Sequence, residues 1–185
     1  MHDQETSVHS ATSKDLGELG TERLVLRSWT TAEAGAVRAE GVPRPAGWAE
    51  DFPADGDRVI ASLFDDNPAW LGAYGHRLIV ERDSGLVVGS TGLFWPPSEG
   101  TVELGYGVVA SRRGRGYATE ATRALAAFAL TAPGVHTVAA GVELSNPASV
   151  RVLEKAGFER YDAACEADEG VVHFRLTASP DHAER

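Results

Sequence analysis

TVELGYGVVASRRGRGYATE, residues Thr101–Glu120, runs from a strand through a basic glycine-rich turn into a helix. Period-two alternation puts Val102, Leu104, Tyr106 and Val108 on one strand face and Glu103, Gly105, Gly107 and Val109 on the other. Glycine weakens a strand interior, so two glycines beside a carboxylate mark either a packing contact or the close approach of a ligand. In the turn that follows, free N–H groups and the positive end of the helix dipole suit a phosphate. Arg112, Arg113 and Arg115 add charge where a diphosphate would lie. Alone, the turn reads equally as a solvated basic loop; the strand before it and the helix after it favour a ligand loop.

Two other phosphate motifs fail on the same residues. Gly105-x-Gly107-x-x-Ala110 fits a dinucleotide fingerprint in form, but its glycines lie inside the strand and no second βαβ unit follows. A P-loop needs a lysine, and the region has none.

Upstream, Glu22–Ser28 alternates as a strand, and Thr30 or Thr31 caps a helix over Ala32–Ala39. Gly41–Pro53 shows no period and reads as loop. A second helix is predicted over Asp57–Asp65. Tyr74–Glu81 and Leu86–Phe94 form a hairpin across Arg82-Asp83-Ser84-Gly85. Downstream come a helix over Gly116–Leu130, a strand over Val135–Val142, and a helix over Pro147–Ala156. Asn146 is the N-cap of that last helix and Gly157 its stop. Phe158–Ala163 and Gly170–Thr177 close the pattern as strands, giving one α/β sheet without internal repeat or linker.

The chain has 185 residues, 43% of them hydrophobic, enough for the core of one domain. Residues 1–20 are expected to be a disordered leader, 21–178 the domain and 179–185 a tail. A lone cysteine, Cys165, excludes an intramolecular disulfide and a thiolate cluster. With no signal-peptide layout and no apolar run near the ~18 residues that span a bilayer, a cytoplasmic protein without membrane contact is expected. The net charge of -10 argues against nucleic acid and favours a cationic partner. Ser111–Arg123 nevertheless carries four arginines against Glu120, which leaves -13 on the rest of the chain.

Three motifs in order resemble the GNAT superfamily of acetyl-CoA-dependent N-acetyltransferases. Arg113-x-x-Gly116-x-Ala118 is similar to its acyl-CoA signature. Asn146-Pro-Ala-Ser149-Val-Arg-Val-Leu-Glu-Lys-Ala-Gly157-Phe158 is similar to its second signature. Thr21-Glu-Arg-Leu-Val-Leu-Arg27 resembles the first strand of the ribosomal-protein-alanine and small-amine branch. The resemblance implies a mixed, mostly antiparallel sheet flanked by helices, with a splayed central strand, and acetyl-CoA as cosubstrate without a metal. It implies backbone at Val108 and Val109 on the pantetheine, and Arg113, Gly114, Arg115, Gly116, Tyr117 and Ala118 on the pyrophosphate. Asn146 would contact the pantetheine arm, a role compatible with capping.

The implied reaction is direct attack of a primary amine on a thioester. An alkylammonium with a pKa near ~10.4 must first lose a proton. Glu103 is the first candidate base, acting through water, and Glu143 the second; Glu103 also reads as a surface glutamate. Leu153 stands where the family often has an acidic tyrosine, so Ser149 is the candidate donor to the thiolate, or else a bond to its own helix turn. The N–H of Val109 is the candidate oxyanion donor. His76, His136 and His173 read as structural. The acceptor is expected to be a small cationic amine or a protein N-terminus, held by Trp48, Phe52, Trp70 and Trp95 with Glu50, Asp51 and Glu99. Thr31–Trp70, at net -5, would attract it. A non-catalytic acyl-CoA-binding module is the alternative. A monomer and a homodimer are both compatible with the sequence.

Overall fold

The computed structural model describes residues 17–39, 43–161 and 170–178, which form eight strands and four helices. In chain order these are β1 (Glu18–Gly20), β2 (Leu24–Ser28), α1 (Thr31–Arg38), α2 (Asp55–Leu63), β3 (His76–Glu81), β4 (Val87–Leu93) and β5 (Thr101–Val108). Then follow α3 (Tyr117–Ala129), β6 (Thr137–Glu143), α4 (Pro147–Ala156), β7 (Glu159–Tyr161) and β8 (Val171–Thr177). One sheet runs in the order β1-β2-β3-β4-β5-β6-β8-β7, and every neighbouring pair is antiparallel except β5 with β6.

β3 and β4 lie in the middle of the first five strands, and all of their residues except Val80 are buried. Burial on both faces takes in the apolar Leu78–Ile79 and Val87–Val88 and also the polar His76, Arg77, Glu81, Ser90 and Thr91. Helix α3 packs against β2, β4 and β5 on one face and against α4. On the other face α2 meets β4 through Asp57 and Ser90. β4 and β5 come unusually close: a Cβ at Gly89 would lie 2.1 Å from the Gly107 carbonyl oxygen, so glycine alone fits there.

The caps follow from local chemistry. Thr30 and Glu33 form a reciprocal capping box at α1. Asn146 Oδ1 accepts the Ser149 N–H at 3.1 Å, and Gly157 ends α4 at φ 94°. Gly85 takes φ 69° in the β3–β4 hairpin.

Most observed boundaries fall within about two residues of the expected ones, and some differences have a clear local cause. The leader expected over 1–20 gives way to β1, whose Leu19 pairs with Leu26; three residues are too few to show a period, and only the pairing creates this strand. α2 begins at Asp55 instead of Asp57, because the Asp57 carboxylate accepts the Ala54 N–H (2.8 Å) from three positions into the turn. Within the described residues, the closing strands are β7, starting at Glu159, and β8, starting at Val171. Residues 1–16, 40–42, 162–169 with Cys165, and the tail 179–185 lie outside the described residues.

Candidate active site

The ladder between β5 and β6 holds only three pairs, from Thr101–Thr137 to Glu103–Ala139. Beyond them β6 stays with β8 through Glu143 while β5 stays with β4 through Val108, so the two strands part. The Glu103 carbonyl accepts from Phe94 N–H, and Val109 N–H donates to the Val88 carbonyl, both at 2.9 Å. Antiparallel alternation then turns the backbone groups of Tyr106 and Val108 toward the opening.

This corrects the assignment of Val109. Its N–H is spent on Val88 and its carbonyl accepts from Arg112 N–H (3.0 Å), so it is no free oxyanion donor. The sequence shows the alternation of side chains, but only the pairing register shows which amides face outward.

Past the strand, Ala110–Arg112 makes a 3-10 turn. Gly114 and Gly116 adopt positive φ (75° and 81°), and α3 starts at Tyr117. Glu120 N–H is bonded to the Gly116 carbonyl (3.0 Å), and the N–H groups before it are the orphan donors of a helix start. Arg113 Nε donates to the Val108 carbonyl (3.0 Å), fastening the loop to the open strand.

Three carboxylates brace this basic turn. Asp51 accepts from the N–H and hydroxyl of Ser111 (2.8 and 2.7 Å). Glu81 accepts from Ser84 Oγ (2.5 Å), Tyr117 Oη (2.7 Å) and Arg112 Nε (3.3 Å), and Arg115 lies 3.5 Å away. The Ser84 hydroxyl, with Tyr117 and Arg112, holds the Glu81 carboxyl below the usual carboxylate range. Glu120 takes Thr21 Oγ1 and Arg23 Nη2 (2.6 Å each), and Arg23 Nη1 reaches the Arg115 carbonyl (2.8 Å). The Thr21-x-Arg23 motif therefore belongs to the loop it supports.

Two cavities meet at β5. One, of about 500 Å³, lies between the loop, α3 and α4, lined by Arg112, Arg113, Gly114, Gly116, Tyr117 and Ala118 with Asn146 and Ser149. The other, of about 420 Å³, lies toward α2 and is lined by Asp57, His76, Ser90, Thr91, Phe94 and Gly105. Tyr106, Gly107, Val108 and Arg113 line both.

The expected residues distribute unevenly over this geometry. Val108, the loop residues other than Arg115, Asn146 and Ser149 all reach the larger cavity. Arg115 stands at its rim, paired with Glu81. Glu103 is exposed and lines neither cavity. Glu143 is also exposed and accepts from Ser145 Oγ (3.0 Å). Leu153 is fully buried and belongs to the core.

Part of the expected aromatic and carboxylate cage is committed elsewhere. Trp48 and Phe52 are core side chains in edge contact with each other, and Asp51 is committed to Ser111. Apolar burial outweighs any gain from holding such rings open to solvent.

Three polar residues of the cavities, Tyr106, Asp57 and Ser90, were not given a role from sequence, and a fourth, His76, was read as structural. Tyr106 Oη donates to the Ser149 carbonyl (3.1 Å), and burial raises its pKa, which keeps the phenol protonated. Asp57, Ser90 and His76 line one cavity only through the β3–β4 pairing and the packing of α2 on β4. Burial pushes the Asp57 carboxyl up and His76 down to about 4. The one usable signal was Ser90-x-Gly92, a polar and a glycine position lying opposite Gly107 and Gly105.

A strand parted from its neighbour beside a glycine-rich helix start defines a site built to admit an extended, phosphate-bearing ligand. The family model of the acetyltransferase (GNAT) domain matches residues 23–159, and the chain belongs to that family. An N-acetyltransferase of Bacillus subtilis (strain 168), YjdG, is 38% identical over 82 residues, covering 44% of this chain and 49% of YjdG; the chain thus spans about half the length of that curated relative. An acetyltransferase from Agrobacterium tumefaciens superposes with TM-score 0.63 at 23% identity, over 96% of this chain and 99% of the other. RimL, described as a ribosomal L7/L12 alpha-N-protein acetyltransferase in complex with coenzyme A, gives 0.62 at 14% identity, over 86% and 97%. At these identities the superpositions establish the fold.

Proposed function

We propose that the chain transfers an acetyl group from acetyl-CoA to a primary amine by direct attack on the thioester. The observation that carries this is the parting of β5 from β6, with cavities on its two sides that share Tyr106–Val108. The residues present fit acetyl-CoA. The orphan N–H groups of α3 with Arg113 would hold its diphosphate, and the open backbone of Tyr106 with the N–H of Val108 its pantetheine arm. When bound it supplies an activated acetyl thioester.

This chain's residues supply the rest. Ser149, at the start of α4 and on the cofactor-side cavity, donates a hydrogen bond toward the leaving sulfur. The amine's proton leaves through water to Glu103 at the exposed edge. The acceptor is a small cationic amine or a protein N-terminus, the latter being what the name of RimL states for that enzyme. The protein works in the cytoplasm, as a monomer or homodimer.

The test is thiol release from acetyl-CoA against a panel of amines and N-terminal peptides, beside calorimetric CoA binding. Amine-dependent release, slowed in Glu103→Gln and Ser149→Ala with CoA affinity kept, supports the reading. CoA binding without release against any acceptor would leave a binding module instead.

A further inference from the structure

The acceptor-side cavity contains polar groups for which the reaction so far has no use. Asp57 is 3% exposed, and its carboxylate accepts from Ser90 Oγ and from the Ala54 N–H (2.8 Å). Both donors are neutral. The neighbouring Arg58 guanidinium is turned to the Val37 carbonyl (3.2 Å), and none of the ion pairs among the described residues includes Asp57. A buried carboxylate that forms no ion pair and feels the Arg58 charge only at a distance is costly, and a cation entering the cavity would lower that cost.

A second observation points the same way. His76 lines this cavity at 2% exposure, and its Nε2 has no hydrogen-bond partner among the described residues. An unmet buried polar atom is costly, so it calls for an occupant. The wall beside these groups is apolar, formed by Ile60, Phe94 and Val108, with Val59 exposed on the same helix face. Gly107 has open space where a Cβ would stand.

We propose that this cavity is the acceptor site and that it takes an alkylammonium. Asp57 receives the charged head, His76 Nε2 accepts one of its N–H bonds, and the alkyl chain lies along Ile60 and Phe94. The proposal rests on the acetyl-transfer reading and names its acceptor class. Asp57 is here a positioning residue for the amine; the chemistry of proton removal stays with the water path. Of the acids of the Thr31–Trp70 region, Asp57 is the one that lines this cavity among the described residues. Glu33 is paired with Arg27 and Asp65 with Arg38.

The experiment uses the full chain loaded with CoA, whose thiol transfers nothing, titrated with n-pentylammonium and separately with 1-pentanol. Binding is followed by calorimetry and by the ring signals of His76 in NMR. Wild type should bind the ammonium saturably and more tightly than the alcohol, with the His76 signals moving. Asp57→Asn should weaken the ammonium at least about tenfold while leaving CoA affinity and the alcohol unchanged. Equal binding of ammonium and alcohol by wild type, motionless His76 signals, or undiminished ammonium binding in Asp57→Asn would each overturn the proposal. The comparison on wild type decides even if the variant does not fold. Asp57-dependent binding without thiol release from acetyl-CoA would keep the site and remove the transfer reading.

Discussion

Replacing His76 with Gln should flatten the dependence of folding stability on pH between 7 and 5. The imidazole is 2% exposed and packed among Phe64, Trp70 and Phe94, with ring centroids at 6.0, 5.0 and 5.1 Å. Burial in that apolar setting lowers its pKa from 6.5 to about 4. Above pH 6.5 the ring is neutral folded and unfolded, and stability is fully present. As pH falls, the unfolded chain takes up a proton that the native ring refuses, so stability is lost from about pH 6.5 and levels off below about pH 4. At 1.36 kcal/mol per pH unit the complete loss is about 3 kcal/mol, of which about 2 kcal/mol falls between pH 7 and 5. For a chain of this size that lowers Tm by roughly 4–8 °C. Gln does not titrate and keeps a hydrogen-bonding group at the site. Its absolute stability will be lower from lost ring packing, so the slope is the quantity to read. Thermal and urea melts of both proteins at pH 7, 6 and 5 measure it. Parallel profiles would refute the reasoning. Glu33, Glu81 and Glu120, held below the usual carboxylate range in the native state, add a further loss common to both proteins at lower pH.

Other outcomes follow from the geometry. Gly107→Ala should keep the wild-type Tm, since a Cβ there meets nothing within 4 Å, yet slow acetyl transfer by at least about tenfold if ligand approaches that strand; melting curves beside thiol release separate the two effects. Gly89→Ala should destabilise by at least about 2 kcal/mol in a urea titration, because its Cβ would strike the Gly107 carbonyl. Arg113→Ala removes both the clasp on the Val108 carbonyl and a charge beside the helix start, and calorimetry should show CoA affinity reduced at least about tenfold. Glu120→Gln, which weakens the hold of Arg23 on the loop, should give a smaller fall of about threefold in the same assay.

Much of the architecture was legible from short-range signals. The Asn146 cap, the Gly157 stop and the Arg82–Gly85 hairpin are each set by a few adjacent residues and stand where the pattern placed them, and of the two threonines offered as the cap of α1 the structure uses Thr30. The glycine-rich helix start was equally readable, because its donors and its positive φ glycines are contiguous. β1 was missed because three residues carry no period, and the start of α2 because Asp57 lies inside the cap it completes.

The acceptor side was another matter. Asp57, His76 and Ser90 come from α2, β3 and β4, and nothing local marks them as neighbours. Trp48 and Phe52, which composition offered as a cation cage, are consumed by the core.

By itself, then, the sequence determined most of the elements, their caps and the glycine-rich turn before α3, since those depend on period and on hydrogen bonds within a few residues. Tertiary structure alone decided where β6 leaves β5, which amides the gap exposes, and that a buried carboxylate and an unpartnered imidazole share one cavity. These depend on register between distant strands. A shift of one residue would exchange the two faces of β5, and with them the open amides of Tyr106 and Val108 for the committed ones of Val109.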